Sequence, residues 1–167
     1  IVDPDTMEEL AVGEDGLILI GGAQIMKGYL KVPERTAQAI AVINGKRWYK
    51  TGDKGHVDED GYLTIVDRYS RFAKLGGEMV SLGSVDFKIS ECSLFDEIDH
   101  FAVAVPDGSK GETIVLVYAG DKSEDEVKDM LKQVGLPPLM LPGAVVKVDE
   151  LPKLGSGKSD VQTGKRI

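Results

Sequence analysis

The fold of the first part of this chain is decided by residues 48–68, WYKTGDKGHVDEDGYLTIVDR. The order of aromatic, β-branched, glycine and acidic residues predicts a strand, a glycine turn, a strand, a DEDG turn and a final strand. The dipeptide Asp60-Gly61 separates GHV from YLTIV and is a typical signal of a β-hairpin. We therefore predict a β-meander that ends near residue 67.

Two stretches before this meander predict one more strand and one short helix. Residues 16–22, GLILIGG, form an apolar run closed by glycines, which favours a buried strand and a turn. Residues 32–40, VPERTAQAI, place Pro33 and Glu34 in a first helical turn ahead of alanines. The first part of the chain is thus expected to be mostly β.

The residues after 67 predict a small α+β unit of about one hundred residues. Its clearest helix lies at 123–135, where Ser123 and Glu126 form a capping box ahead of an apolar stripe at helical spacing. A hairpin with its corner at Gly76-Gly77 and a helix at 83–95 are predicted before it. Strands are predicted by the apolar runs at 101–107, 113–120 and 143–152, with a GSKGE turn between the first two.

Composition and charge exclude several classes of function. The 167 residues include 28 acidic and 20 basic side chains, for a formal net charge of −8, whereas a general nucleic-acid surface needs a basic face. The single Cys92 excludes an internal disulfide and a cysteine-based zinc site, and we expect it to be a small buried hydrophobe. No apolar run approaches the ~20 residues of a membrane helix. Residues 1–10, IVDPDTMEEL, are acidic and lack an apolar run, so we do not expect them to form a signal peptide. Because the sequence starts without methionine, we expect a fragment of a longer protein.

The tail at 151–160, LPKLGSGKSD, contains the three letters Gly157, Lys158 and Ser159 that also close a phosphate-binding loop. The first glycine of such a loop would fall at position 152, where Pro152 has no backbone N–H to donate to a phosphate. A Walker-type loop is therefore excluded, and Lys158 needs another explanation.

Three stretches together resemble the AMP-forming acyl synthetases: GGAQIMKGYLKVPERTAQAI at 21–40, the meander at 48–68, and LPKLGSGK at 151–158. This adenylate-forming superfamily contains acyl-CoA and acyl-carrier-protein synthetases, peptide-synthetase adenylation domains and luciferases. The resemblance covers essentially the whole chain. Residues 71–82, RFAKLGGEMVSL, together with the tail look most like acyl-carrier-protein synthetases, including those fused to 2-acylglycerophosphoethanolamine acyltransferases.

The resemblance implies an α+β architecture in two parts. Residues 1–67 would be the β-rich end of a large N-terminal adenylation domain, and residues 68–167 the complete C-terminal lid, with a hinge near 67–70. The loop that holds the ATP phosphates and most of the acid pocket would lie upstream, so we expect the fragment alone to be inactive. An alternative from another class is a stand-alone, non-catalytic module that binds an adenylate or docks a carrier protein.

The resemblance also implies roles for individual residues. Lys158 is similar to the family lysine that bridges substrate carboxylate and phosphate oxygens during adenylation, and we expect small neighbours to present it on a mobile arm. Asp53, in TGD, resembles the carboxylate that accepts both ribose hydroxyls, although a turn aspartate that caps its own backbone is the plain alternative. Arg68 resembles an arginine near the same ribose, with a surface ion pair as its plain alternative.

The hairpin after the hinge is expected to line a pantetheine tunnel through Lys74, Gly76 and Gly77, and a tight turn that needs positive φ explains the glycines equally well. The hinge itself is assigned to Asp67, Arg68 and Ser70. Three departures from the family pattern bear on hinge motion and thiol transfer: Asp67 replaces a glycine, Ser70 an aspartate or lysine, and Gly83-Ser84 a glutamate. His56 and His100 match no family partner and are expected to be ordinary surface or strand residues.

The implied cofactors are ATP and Mg²⁺ in the full-length enzyme, with none bound tightly by this fragment and no metal ligands within it. The implied partners are ATP or AMP, a carboxylic acid such as a fatty acid, an acyl carrier protein or CoA as thiol acceptor, and the missing upstream part of the adenylation domain. Neither nucleic acid nor a transmembrane segment is expected. We expect a cytoplasmic protein, and a location of the full-length protein at the inner membrane is the alternative. The acyl substrate and the choice of acceptor stay open.

Overall fold

The computed structural model describes residues 1–108 and 111–166. Contacts along the chain divide it into two compact units, Ile1–Ser70 and Arg71–Ile167. Each unit has its own sheet, in which most strands are antiparallel, and helices are few among the described residues, so the α+β class is confirmed. The assignment of the units to parts of a larger adenylation enzyme stays a prediction.

The first unit is a four-stranded antiparallel sheet built on one long strand. This strand, β3 (Lys46–Val57), pairs along one side with β1 (Gly16–Gly21) and along the other with β2 (Ile40–Ile43) and β4 (Leu63–Arg68). The predicted helix is present as α1 (Pro33–Ala39), with its proline in the first turn.

The glycine turn predicted inside 48–68 is wrong, because β3 continues through it. Leu17 pairs with Lys54 and Leu19 with Lys50, so the three residues between them on β3 form a bulge opposite Ile18. Gly52 supplies the positive φ of +78° that the bulge uses, and a positive-φ glycine suits a bulge as well as a turn. The hairpin at Asp60-Gly61 is confirmed between β3 and β4.

The second unit is a five-stranded sheet in which four strands are antiparallel and the last one is parallel. Its strands are β5 (Phe72–Leu75), β6 (Glu78–Ser81), β7 (Asp99–Asp107), β8 (Gly111–Ala119) and β9 (Ala144–Val148). The order is β6-β5-β8-β7, and β9 lies parallel to the second half of β8. Ser109 and Lys110 of the predicted GSKGE turn lie outside the described residues.

Two helices cover one face of this sheet. Helix α3 (Glu124–Gln133) has the predicted capping box, since Ser123 and Glu126 bond each other's backbone N–H, and Gly135 follows it with a φ of +74°. Helix α2 (Leu82–Ser90) ends five residues before the predicted limit at 95, and Cys92 after it is partly exposed rather than fully buried. Together with strand residues these helices form the larger core, which includes Val85, Ile89, Leu116, Tyr118, Val127 and Leu131.

A second, smaller core covers the opposite face of the same sheet. Phe101, Val103, Val115 and Val117 of β7 and β8 are buried there. The segment that covers them comes from the end of the chain, through Leu151 and through the short helix α4 (Val161–Gly164). Both sides of the tail that holds Lys158 are thus attached to this sheet.

Along the described residues, no helix combines the length and the apolarity that crossing a bilayer requires.

Candidate functional site

Asp53 and Arg68, the two residues predicted to bind ribose, lie directly opposite each other on β3 and β4. Arg68 Nε is 3.0 Å from Asp53 Oδ1, with the aspartate side chain 23% exposed and the arginine 66% exposed. The ion pair that we gave as the alternative role of Arg68 is therefore present. The partner of Arg68 in this pair is Asp53, the other predicted ribose ligand. A carboxylate has further acceptor positions beyond the one that faces an arginine, so the pair retains the capacity to accept hydroxyl donors.

The β3 bulge fixes where the Asp53 carboxylate emerges. The Asp53 backbone N–H donates to Thr51 Oγ1 at 3.0 Å, and the Thr51 hydroxyl donates to the Ile18 carbonyl at 2.9 Å. The alternative role of Asp53 was to accept a hydrogen bond from the backbone of its own turn. In the structure Thr51 is the side chain that accepts such a bond, from the Asp53 N–H. Sequence reasoning missed Thr51, since its importance depends on the neighbouring strand β1.

A second cluster of charged side chains in this unit, formed by Asp15, Lys54 and His56, was not predicted. Asp15 Oδ1 lies 2.7 Å from His56 Nδ1, and Asp15 Oδ2 lies 3.3 Å from Lys54 Nζ. His56 is therefore a strand residue with a carboxylate partner. The hydrogen bond from His56, assisted by Lys54, lowers the pKa of Asp15 below its ordinary value because both contacts favour the ionised carboxylate.

This contact predicts a dependence of stability on acidity. A carboxylate whose pKa is lowered in the folded state stabilises the protein above its unfolded pKa of about 4, and the contribution is lost as the pH falls through the folded pKa. We expect Asp15→Asn to lower the melting temperature of the intact protein by a few degrees at pH 6, and we expect this difference from wild type to shrink as the pH falls below about 4. Thermal melts from pH 6 to pH 3 measure this, and a gap that stays constant across that range would contradict it.

The predicted tunnel hairpin is confirmed as a hairpin of β5 and β6. Gly76 and Gly77 have φ of +58° and +99°, and a Cβ added to either would meet no atom within 4 Å, so within this unit the glycines serve the turn. The Lys74 backbone N–H donates to Glu112 Oε2 at 2.6 Å. Lys74, Gly77, Gly111 and Glu112 line one surface cleft. The tunnel role of this hairpin stays a prediction.

The three departures from the family pattern have definite places. Asp67 is the penultimate residue of β4, and its Oδ1 accepts the Arg68 backbone N–H at 2.7 Å. Ser70 is exposed in the short 3-10 helix Tyr69–Arg71, at the end of the first unit. Gly83 and Ser84 lie in the first turn of α2, where the Ser84 N–H donates to the capping Ser81 Oγ at 3.0 Å. Hinge motion itself stays a prediction.

Lys158 lies in an exposed, closed turn, so the predicted mobile arm is folded. The Leu154 N–H donates to the Lys158 carbonyl at 2.7 Å, and the Gly157 N–H donates to the Leu154 carbonyl at 2.8 Å. Gly157 has the positive φ of +83° that this turn needs. Within the part of the chain that the structure describes, the Lys158 side chain forms no salt bridge, so its ammonium is presented to solvent.

No three His, Cys, Asp or Glu side chains come together as a metal site within residues 1–108 and 111–166. Asp53 and Arg68 belong to the first unit, whereas the hairpin residues and Lys158 belong to the second.

The fold and the position of the lysine turn match one class of domain. Residues 96–158, which run from just before β7 to Lys158, match the family described as the AMP-binding enzyme C-terminal domain. This part of the second unit is therefore an AMP-binding enzyme C-terminal domain.

Relatives that align with both units include CoA ligases and a nonribosomal peptide synthetase of Aspergillus fumigatus, to which the chain is 31% identical over 176 residues, covering 96% of this chain and 7% of that protein. The chain is 34% identical over 161 residues to a long-chain-fatty-acid–CoA ligase of Bacillus subtilis, covering 95% of this chain and 28% of that protein. It is 38% identical over 169 residues to 4-coumarate–CoA ligase 2 of Nicotiana tabacum, covering 95% and 29% respectively. The solved structure of ATP-bound MatB from Rhodopseudomonas palustris superposes with a TM-score of 0.81 at 27% identity, over 99% of this chain and 33% of that one. The chain thus spans about a third or less of the length of these relatives.

Proposed function

We propose that this chain is the C-terminal part of an ATP-dependent, AMP-forming acid–thiol ligase. The enzyme would activate a carboxylic acid, of which a fatty acid is our first candidate, as acyl-AMP. It would then transfer the acyl group to a pantetheine thiol. The observation that carries the proposal is the adjacency of Asp53 and Arg68 across β3 and β4, at 3.0 Å, in a chain whose aligned relatives include several CoA ligases.

In the first half-reaction the substrate carboxylate attacks the α-phosphate of ATP and pyrophosphate leaves. Negative charge accumulates on phosphate and carboxylate oxygens, so a cation placed against them lowers the barrier. Lys158 suits this task because it is a compact ammonium on a flexible stem, exposed at the end of a closed turn. In the second half-reaction the thiol loses its proton and attacks the acyl carbon, and AMP leaves with the electron pair of the broken C–O bond. We assign Lys158 no role in this step.

Asp53 and Arg68 would hold the nucleoside through both half-reactions. The Asp53 carboxylate has the geometry to accept two hydrogen bonds from the neighbouring hydroxyls of a ribose. Arg68 orients that carboxylate through the contact between Nε and Oδ1. ATP and Mg²⁺ are the proposed cofactors, and the roles proposed for Lys158, Asp53 and Arg68 do not involve binding the metal.

Asp53 offers the direct test of the nucleoside site. In the full-length enzyme we expect Asp53→Asn to raise the KM for ATP by about tenfold or more, since an amide cannot accept the same pair of hydrogen bonds and loses the charge. The matched control is Asp60→Asn in the exposed DEDG turn, which should leave the KM for ATP unchanged. If both variants show wild-type KM values, Asp53 does not bind the ribose.

The acceptor and the activity of the fragment have their own measurements. Intact enzyme supplied with equal CoA and holo-acyl carrier protein, with products separated by mass, identifies the preferred thiol. If the enzyme is of the acyl-carrier-protein synthetase type, it should acylate the carrier protein in preference to CoA.

We also expect purified 1–167 to release no AMP from ATP and a fatty acid. Measurable release would contradict that expectation. Absence of adenylation in the full-length protein would favour a non-catalytic adenylate-binding or carrier-docking module.

A further inference from the structure

The turn that presents Lys158 is attached to the sheet on both sides. Before the turn, Leu151 is 5% exposed in the smaller core, beneath the sheet face opposite α2 and α3. After the turn, Val161 packs against the same core. The two segments meet at the base of the turn. There the Asp160 N–H donates to the Pro152 carbonyl at 2.7 Å, and the backbones of Lys153 and Ser159 form an isolated antiparallel β-bridge.

Helix α4, which makes the second attachment, cannot be stable on local interactions. It has four residues, and an isolated helix of that length does not pay its nucleation cost in water. Asp160 caps it by accepting the Thr163 N–H at 3.2 Å and the Thr163 hydroxyl at 2.7 Å. One cap on so short a helix leaves tertiary contact as its main support.

That contact is the approach of Gly164 to Phe101. A Cβ built on Gly164 would overlap the ring atoms Cε2 and Cζ of Phe101. Phe101 is 2% exposed within the smaller core, so its ring has little room to move aside. Gly164 is helical, so the space next to the ring, rather than backbone freedom, is what requires glycine there.

We propose that Gly164 is a positioning residue for Lys158, through its close approach to the ring of Phe101. By letting α4 sit directly on the ring, Gly164 fixes the C-terminal end of the turn, and the turn then holds the Lys158 ammonium at one place relative to the sheet. This inference rests on the proposed function for the part that concerns adenylation. The attachment of the turn stands on the contacts alone.

The experiment compares Gly164→Ala with wild type in the intact protein. Alanine favours a helix over glycine, so any loosening must come from the overlap with Phe101. The matched control is Gly108→Ala, where an added Cβ meets no atom within 4 Å and the backbone is not left-handed. The double variant Gly164→Ala/Phe101→Leu removes the two ring atoms that the new methyl would meet, and serves as the rescue.

Two readouts separate attachment from catalysis. The first is the rate at which trypsin cuts after Lys158 under native conditions, followed by mass spectrometry. We expect it to rise about tenfold in Gly164→Ala, as local opening becomes easier, and to return toward wild type in the double variant. The second is the ratio of acyl-adenylate formation to thiolysis of preformed acyl-AMP, which we expect to fall about tenfold, because a displacement of about 1 Å misplaces the ammonium.

Each outcome decides the proposal. Faster cleavage with a lower ratio, both reversed by Phe101→Leu, supports it. An unchanged cleavage rate overturns the attachment, whatever happens to activity. Faster cleavage with an unchanged ratio overturns the positioning role and leaves the acid–thiol ligase proposal to its own test at Asp53. Equal loss in both half-reactions also overturns it, since general destabilisation would do the same.

Discussion

Replacing Lys158 with alanine in the full-length enzyme is expected to slow acyl-adenylate formation by about a hundredfold to a thousandfold, the usual effect of removing one fixed group that stabilises a transition-state charge. Thiolysis of preformed acyl-AMP should change by less than about threefold, because the role proposed for Lys158 is confined to the first half-reaction. Pyrophosphate exchange measures the first half-reaction, and release of AMP from synthetic acyl-AMP and thiol measures the second.

The turn itself provides the controls for this prediction. Lys153 lies at the base of the same turn with its Nζ 3.9 Å from Asp99 Oδ2, and Lys153→Ala removes a cation of the same kind at another place. It should leave both half-reactions close to wild type. Lys158→Arg keeps the charge but replaces a point-like ammonium by a wide, planar group, so only partial activity should return. Equal losses in the two half-reactions of Lys158→Ala would refute the assigned role.

Local signals were sufficient wherever one element determines its own structure. The capping box at Ser123 and the apolar stripe behind it predict α3, and Gly76-Gly77 predicts the β5–β6 hairpin, because both depend on residues close in sequence. The glycine at 52 failed as a turn signal. Whether a positive φ turns the chain or makes a bulge is decided by the register of β1 against β3, which the residues around Gly52 do not encode.

The candidate site shows the same division. The meander motif leads to Asp53 and Arg68, but their direct pairing needs both the predicted hairpin and a one-residue register shift between Lys54 and Gly55, which the motif does not reveal. The partnership of Asp15 with His56 joins residues far apart in sequence and needs β1 and β3 to be aligned first. The folded state of the Lys158 turn likewise depends on Phe101, a distant residue that the glycine-rich tail gives no reason to expect.

The first residue of the second unit is held by a partly buried ion pair that sequence reasoning also missed. Arg71 Nη2 donates to Asp86 Oδ2 on α2, and Asp86 Oδ1 accepts the Ala102 N–H of β7 at 2.6 Å. The arginine side chain is 26% exposed and the aspartate 19%. Burial raises the pKa of Asp86, and the charge and hydrogen bond of Arg71 oppose that rise. The pair therefore joins the start of the unit to both a helix and a strand.

Removing the carboxylate from this pair should be strongly destabilising. We expect Asp86→Ala to lower the free energy of unfolding of the intact protein by about 3 kcal/mol or more, because it leaves Arg71 without its counter-charge in a mostly buried site and the Ala102 N–H without its acceptor. Urea denaturation followed by far-UV circular dichroism measures the loss.

Two further variants distinguish two causes of this stability loss, namely an uncompensated charge on Arg71 and the loss of an ion-pair contact as such. Asp129→Ala breaks an ion pair with Lys132 whose side chains are 70% and 69% exposed, and it should cost far less than Asp86→Ala, because solvent already screens that pair. Arg71→Met combined with Asp86→Ala removes the stranded charge and should recover part of the stability. If Asp86→Ala costs no more than Asp129→Ala, or if removing Arg71 as well makes the loss larger, the penalty does not come from a buried, unpaired arginine.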